Sequence, residues 1–337
     1  MNSLIPIHNS LRRIVVLGVG GTIAASAESA TQTHEYKLTG TLMSVLEQIP
    51  QLAAIADIRA EQVANISSQE VDNALLLRLV EMVNAALSDL TVDGVVITHG
   101  TDTLEESAYF LHLLVKNDKP VVMTGAMRPA SALSADGPLN LYNAVRVAIH
   151  DDARGKGVLV VLDERVVSAR YATKMHTSAT DAFSYPPIGI LGSITGGRVM
   201  FHALPISKRT DENGFSVSGI SSLPHVDIVY GYQNAGTHFF VSAINAGAQG
   251  IVFAATGNGT LSEAAKVGAL MAREHGVAVV RSSRVAGGGV SQCSDDSRYD
   301  TIAAQTLNPQ KARILLMLGL AQHMNTQALR RYFELYG

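Results

Sequence analysis

A chain of 337 residues exceeds what one hydrophobic core comfortably serves, so its length favours two domains and excludes a marginal mini-protein. Hydrophobic residues make up 47% of it, charged residues 16%, and the formal net charge is −3, a balance that offers phosphates no basic face and excludes nucleic acid as a partner. The lone Cys293 closes no internal disulfide and supplies no thiolate cluster, and no apolar run approaches the ~20 residues that cross a bilayer, so neither a metal nor a membrane is expected.

At the start, Arg12 and Arg13 followed by IVVLGVGGTIAASAESA imitate the basic, apolar and small-residue zones of a secretory signal. The apolar part is short and broken by glycines, and it reads better as a first core strand. The expected location is cytoplasmic for the chain as it stands, and periplasmic if an export signal has been removed. IVVLG (14–18), GVVITHG (94–100), PVVMTG (120–125) and GVLVVLD (157–163) are Val- and Ile-rich runs that read as strands buried on both faces. Between them, residues 71–87 carry Leu75, Leu76, Leu79, Val80 and Val83 at helical spacing, and residues 104–116 carry Leu104, Phe110, Leu111 and Leu114. Ser67 with Glu70 and Thr103 with Glu106 fit the S/T-x-x-E capping box and mark helix starts after strand ends.

Strand alternating with helix predicts an α/β protein: a larger N-terminal domain (1–203) with a mainly parallel sheet, a linker (204–223), and a smaller C-terminal parallel-sheet domain (224–337). The linker is the polar, Gly- and Ser-bearing stretch around SKRTDENGFSVSGISSLP. Beyond it HVDIVYGY, GIVFAATGNG and VAVVRSSRV read as strands, and AINAGA, SEAAKVGALMAREHG and NPQKARILLMLGLAQHM as helices, the last with Pro309 in its first turn.

Three strand ends run into turns that carry hydroxyl groups. GVGGTIA (18–24) turns sharply on its glycines and leaves Thr22 at the exit. A glycine-rich turn after a strand invites a dinucleotide-binding reading, but the third glycine of the fingerprint is missing and no acidic ribose partner follows a second strand, which counts against an oxidoreductase. THGTDTLEES (98–107) sets Thr101, Asp102 and Thr103 between a buried strand and a helix start. Hydroxyl, carboxylate and helix N-terminus there can hold an anion, orient water and bind an ammonium group, and Asp102 and Thr103 serve equally well as a plain helix cap. ISSQEVD (66–72) offers Ser68 and Gln69 as a carboxylate-gripping pair, with capping as the alternative for Ser67. SARYATKMHTS (168–178) places Lys174 among small and polar residues after the fourth strand; alone, a solvated surface lysine is the simpler account, and His176 reads as ordinary.

Together, GGTIA, HGTDT, GAMRP with SADGPLNLYNAV, Lys174, TGNGTL, RSSRV and TLNPQKAR stand in the order and approximate spacing of the bacterial L-asparaginase family. From about residue 12 to the C-terminus the chain resembles its type II branch, with GGTIA and HGTDT the most diagnostic pair. The resemblance implies hydrolysis of L-asparagine to L-aspartate and ammonia through an acyl-enzyme, without metal or organic cofactor. It implies Thr22 as nucleophile and Tyr36, in THEYKLTG, as the mobile-loop tyrosine that touches it. Thr101, Lys174 and Asp102 match the second catalytic group, which moves protons and positions water. Asp102 also holds the substrate's α-ammonium, while Ser68 and Gln69 grip the substrate, with Ser68 on the α-carboxylate. Backbone N–H groups near Thr101 are the implied oxyanion donors. Asn258 in TGNGT matches a residue contributed to a neighbouring subunit's site, which implies a homotetramer built as a dimer of intimate dimers.

The chain departs from the type II pattern in three places. Val19 replaces a common small polar residue, His34 and Glu35 precede the loop tyrosine, and VAGGGVSQCSDDSRYD (285–300) is shorter and lacks the glutamate that pairs with that tyrosine. Asp295, Ser294 and Cys293 are the candidates for its space, and the role is left unassigned. This corner bears on the choice between asparagine and glutamine, and one methylene discriminates by only ~1–3 kcal/mol, so some glutamine hydrolysis is expected. The alternatives carried forward are a dual glutaminase-asparaginase of the same chemistry and a catalytically silent amino-acid-binding paralogue that uses Ser68, Gln69 and Asp102 without turnover.

Overall fold

The structure is a computed structural model and describes residues 11–184, 189–205, 215–216 and 219–337. Much of the expected linker therefore lies outside the described residues. The chain divides into two compact units, Met1–Ile206 and Ser207–Gly337.

Unit 1 opens with β1 (Arg12–Gly20), the antiparallel pair β2 (Ala25–Ser26) and β3 (Lys37–Leu38), α1 (Leu42–Glu47), β4 (Ala56–Ile66) and α2 (Asn73–Ser88). It continues with β5 (Gly94–Thr98), α3 (Leu104–Leu114), β6 (Val121–Thr124), α4 (Gly137–Ala148), β7 (Val158–Leu162) and β8 (Arg165–Ser168). A second short pair, β9 (Thr173–Lys174) and β10 (Phe183–Ser184), precedes β11 (Ile190–Thr195) and β12 (Arg198–Phe201). One eight-stranded sheet runs in the order β12-β11-β8-β7-β6-β5-β1-β4. The five strands from β7 to β4 are parallel; β8, β11 and β12 extend the sheet antiparallel, starting from a tight turn in which Asp163 and Glu164 both have positive φ.

The four apolar runs are the core strands, and each is buried on both faces, as a parallel sheet covered by helices requires. Ile14, Val16, Val96, Val122, Leu159 and Val161 cluster with Leu141, Ala144 and Val145 of α4. Their alternates Val15, Val95, Val121 and Val160 are equally buried, and α2 and α3 pack on β5 and β7. The apolar stripe of α2, through Leu76, Leu79, Val80, Val83 and Leu87, is buried, each side chain contributing about 1.5–3 kcal/mol over exposure. Helix α3 is buried on nearly every side rather than along one stripe, because it lies against both β7 and α2.

Neither expected capping box forms. Ser67 precedes a single 3-10 turn (Ser68–Glu70) without a side-chain cap; the helix proper begins at Asn73, where the Asp72 carboxylate accepts the Leu75 N–H at 2.8 Å. Thr103 stands at the start of α3 but its side chain makes no cap hydrogen bond.

Unit 2 is a four-stranded, all-parallel sheet in the order β13-β14-β15-β16, from β13 (Val226–Tyr230), β14 (Gly250–Ala255), β15 (Ala278–Ser283) and β16 (Thr301–Ala303). Its helices are α5 (His238–Asn245), α6 (Glu263–Glu274), α7 (Ser294–Tyr299), α8 (Pro309–Ala321) and α9 (Thr326–Tyr336). AINAGA is the tail of α5, ended by Gly247 in a left-handed conformation. Phe240 and Ala243 of α5 and Ala265, Ala269 and Ala272 of α6 join Ile251, Phe253 and Val279 in one core, while α8 packs on β13, β14 and β15. Pro309 opens α8 behind Asn308, whose side chain caps the Lys311 N–H at 2.9 Å. Among the described residues no helix is long and apolar enough to cross a membrane.

Candidate active site

The registers Gly18↔Thr98 and Gly20↔Ile66 bring the carboxyl ends of β4, β1 and β5 side by side, where open α/β sheets bind ligands. Each end feeds one hydroxyl-bearing turn. At the first, Gly20 and Gly21 have φ of +116° and +87°, a region that disfavours side chains, and space is as restrictive as torsion. A Cβ on Gly20 would lie 2.5 Å from the Ile66 carbonyl oxygen, and one on Gly21 would overlap the Gly100 backbone. The two glycines thus let the turn carrying Thr22 press directly against the turn carrying Thr101.

Thr22 begins a 3-10 turn and is 6% exposed. Its Oγ1 is hydrogen-bonded to the Tyr36 phenolic oxygen at 2.8 Å. The pairing of Ala25 with Leu38, and the Thr39 and Gly40 N–H groups donating to the Ala24 carbonyl, fold the loop back so that Tyr36 reaches Thr22.

Strand β5 runs into His99, whose backbone N–H donates to the Thr124 carbonyl. Its imidazole is fully buried; burial pushes its pKa from 6.5 to about 4, against the opposing hydrogen bond to Gly100. The neutral ring donates from Nδ1 to the Gly100 carbonyl at 2.7 Å, which leaves Nε2 to accept the Ser107 hydroxyl at 3.0 Å. Gly100 is thereby fixed from one side by a ring and from the other by Gly21.

Beyond it, the Thr101 hydroxyl accepts from Lys174 Nζ at 2.9 Å, and Lys174 forms an ion pair with Asp102 at 2.5 Å. Lys174 arrives from β9, paired with Phe183 of β10. The lysine side chain is 15% exposed and that of Asp102 61%, so the carboxylate keeps an open face. Ser68, in the 3-10 turn after β4, is buried against Gly100, where an added Cβ would come within 2.9 Å of the serine Oγ. Gln69 follows it, exposed, on the same turn.

Sequence reasoning missed two links, the first at Thr103: its hydroxyl, expected to cap α3, donates instead to the Ser68 carbonyl at 2.7 Å. No local signal separates such a threonine from an ordinary cap, because its partner is 35 residues away. The support of Gly100 by His99 and Ser107 was missed as well, although the spacing of eight residues from strand end into a buried helix is its trace.

Asn258 belongs to unit 2, on the turn after β14. Its Oδ1 accepts the Ser291 N–H at 2.7 Å and its Nδ2 donates to the Ser291 hydroxyl at 3.4 Å. In the shortened segment 285–300, Asp296 is engaged with Arg281, Asp295 is half-buried, and Cys293 and Ser294 are exposed.

Chemically, unit 1 offers two hydroxyls on touching turns, one against a phenol and one against an ammonium group, with an open carboxylate and a buried serine alongside. That inventory suits attack on a polarised carbonyl by an activated hydroxyl, in a site with separate places for a positive and a negative group.

Comparison with known proteins bears on both units. Residues 13–207 match the family model described as Asparaginase, N-terminal, and residues 225–333 that described as Glutaminase/Asparaginase C-terminal domain. The chain is 49% identical to L-asparaginase 2 of Bacillus subtilis, over 97% of this chain and 87% of that one. It is 43% identical to a glutaminase-asparaginase of Pseudomonas fluorescens, over 97% and 91% respectively. A crystal structure of a probable cytoplasmic L-asparaginase from Campylobacter jejuni superimposes with a TM-score of 0.93 at 42% identity, covering 96% of this chain and all of that one.

Proposed function

The chain belongs to the asparaginase family, and on that premise we propose that it hydrolyses the side-chain amide of L-asparagine to L-aspartate and ammonia. The observation that carries the reading in this chain is the contact of the two turns: Gly21 against Gly100, with Thr22 bonded to Tyr36 and Thr101 to Lys174.

In this reading Thr22 Oγ1 attacks the amide carbon and its proton leaves through the hydrogen bond to Tyr36. The tetrahedral oxyanion is held by backbone N–H groups of the Thr101 turn; one such donor is worth ~2.7–4 kcal/mol of barrier. Collapse breaks the C–N bond, the departing nitrogen takes up a proton and leaves as ammonia, and an ester to Thr22 remains. Water positioned by Thr101 and Lys174 then attacks the ester and releases aspartate. Asp102, with its open face, holds the α-ammonium, and Ser68 with Gln69 holds the α-carboxylate end. Asn258 completes the site of a neighbouring subunit in a homotetramer arranged as a dimer of dimers.

Ammonia release from asparagine should disappear in Thr22→Ala and in Thr101→Ala, and turnover retained in both variants would remove the mechanism. Mixing inactive Thr22→Ala with Asn258→Ala subunits should restore part of the activity if sites are shared. The glutaminase-asparaginase among the relatives favours a companion activity on glutamine, read by comparing kcat/KM for the two amides in the same assay.

A further inference from the structure

A threonine at the first position of T-x-x-E normally turns its hydroxyl onto the N–H groups of its own helix. Thr103 has Glu106 in place for that motif, yet its side chain leaves the start of α3 uncapped. The hydroxyl donates to the Ser68 carbonyl at 2.7 Å, and the Thr103 backbone N–H makes a longer contact of 3.4 Å to the Ser68 hydroxyl oxygen. Two polar groups of Thr103 thus reach two polar groups of Ser68, between the turn that follows β5 and the turn that follows β4.

The consequence for Ser68 follows from its hydrogen-bonding capacity. A serine hydroxyl has one proton to give and can accept twice. With the Thr103 N–H directed at its oxygen, the Ser68 proton is left to point elsewhere, while the Thr103 hydroxyl pins the carbonyl of the same residue. Thr103 is also the direct chain neighbour of Asp102. In an α-amino acid the carboxylate and ammonium groups sit on one carbon, so groups that bind the two must keep a fixed spacing.

We propose that Thr103 is a positioning residue that sets the distance and orientation of Ser68 relative to Asp102, and so tunes recognition of the substrate's α-amino-acid head group. The inference rests on the reading that Ser68 and Asp102 hold that head group. Head-group contacts are alike in ground and transition states, so disturbing them raises KM and leaves kcat nearly unchanged.

Steady-state kinetics on asparagine with Thr103→Val, which keeps the shape and removes the hydroxyl, should show KM raised roughly three- to tenfold, the loss of about one hydrogen bond, with kcat little changed. Thr103→Ser should restore KM. If Thr103→Val does not fold, Thr103→Ala removes the same hydroxyl and answers the same question. A lowered melting temperature with unchanged KM would reduce Thr103 to a structural tie between the two turns, and failure of Thr103→Ser to restore KM would overturn the hydroxyl's part in substrate recognition. Ser68→Ala is measured alongside. Unchanged KM there removes the head-group reading and this inference with it, whereas raised KM there beside unchanged KM in Thr103→Val overturns the role of Thr103 alone.

Discussion

Each unit holds a short ion pair on a strand or on a turn beside it, Lys174–Asp102 and Arg281–Asp296, and the two differ in what they leave open. Lys174 and Asp102 in unit 1 meet at 2.5 Å, and most of the Asp102 side chain still faces solvent. Arg281 and Asp296 in unit 2 are 2% and 11% exposed, with guanidinium Nε and Nη2 on the two carboxylate oxygens at 2.8 and 2.6 Å. Further bonds of that second pair go to the protein. Arg281 donates to the carbonyls of Gly259 and Ser291, and Asp296 accepts from the Thr301 hydroxyl and the Cys293 N–H. A charge pair with a free face can meet a ligand, while a pair enclosed by protein ties loops together, here the turns on either side of the Asn258–Ser291 contact.

The comparison breaks first at Lys174. Replacing it with Met removes the donor to Thr101, and if the open pair serves proton transfer, kcat should fall by about 10²–10⁴. The same change should barely move stability, since an ion pair with one exposed partner is worth ~0–1 kcal/mol. An unchanged kcat would reduce Lys174 to the solvated surface lysine that its sequence context suggests. The opposite pattern belongs to Arg281. Arg281→Met strands a buried carboxylate and should cost about 3–5 kcal/mol in urea unfolding, whereas Arg281→Met/Asp296→Leu should recover most of it because no charge is left unpaired. If the double variant is as unstable as the single one, the carbonyl ties to Gly259 and Ser291 carry the stability rather than the charge pair.

What could be read from the sequence divides along similar lines. The four buried strands were legible because a parallel strand covered on both faces is a continuous apolar run, and α2 because its stripe has helical period. Strand β4 was legible only at its end, where ISSQEVD reads as a strand running into a turn: as an edge strand its body reads ADIRAEQVANI, and its charged and polar residues lack the signal that marks a core strand. Yet β4 delivers Ser68. The turns at Thr22 and Thr101 announced themselves by glycines and hydroxyls, but their contact is a property of sheet order, with β5, β1 and β4 adjacent, and no local pattern encodes that. Thr103 shows the limit most sharply. Its motif is a cap by every local rule, and a carbonyl distant in the chain overrides the helix end beside it.

Acid sharpens the contrast between the units, because their buried titratable groups fail in different windows. His99 titrates near 4 when folded and near 6.5 when unfolded, so between those values only the unfolded chain takes up the proton. Its contribution is therefore intact above pH 6.5, declines as pH falls, and is lost by about pH 4, at a total of roughly 3 kcal/mol. Burial alone would raise the Asp296 carboxyl, but the bonds from Arg281, the Cys293 N–H and the Thr301 hydroxyl outweigh it and leave the carboxyl below its ordinary 3.8. That depressed carboxylate keeps its contribution above pH 3.8 and loses it only as pH falls further, through the folded-state value. Hydrogen exchange followed from pH 7 to 4 should accordingly show α3 and the strand end at His99 losing protection before β15 and α7. His99→Gln, which carries an amide in place of the titrating ring, should flatten the decline in unit 1 and leave unit 2 unchanged. A decline of the same slope in His99→Gln would mean that a different group in unit 1 takes up the proton.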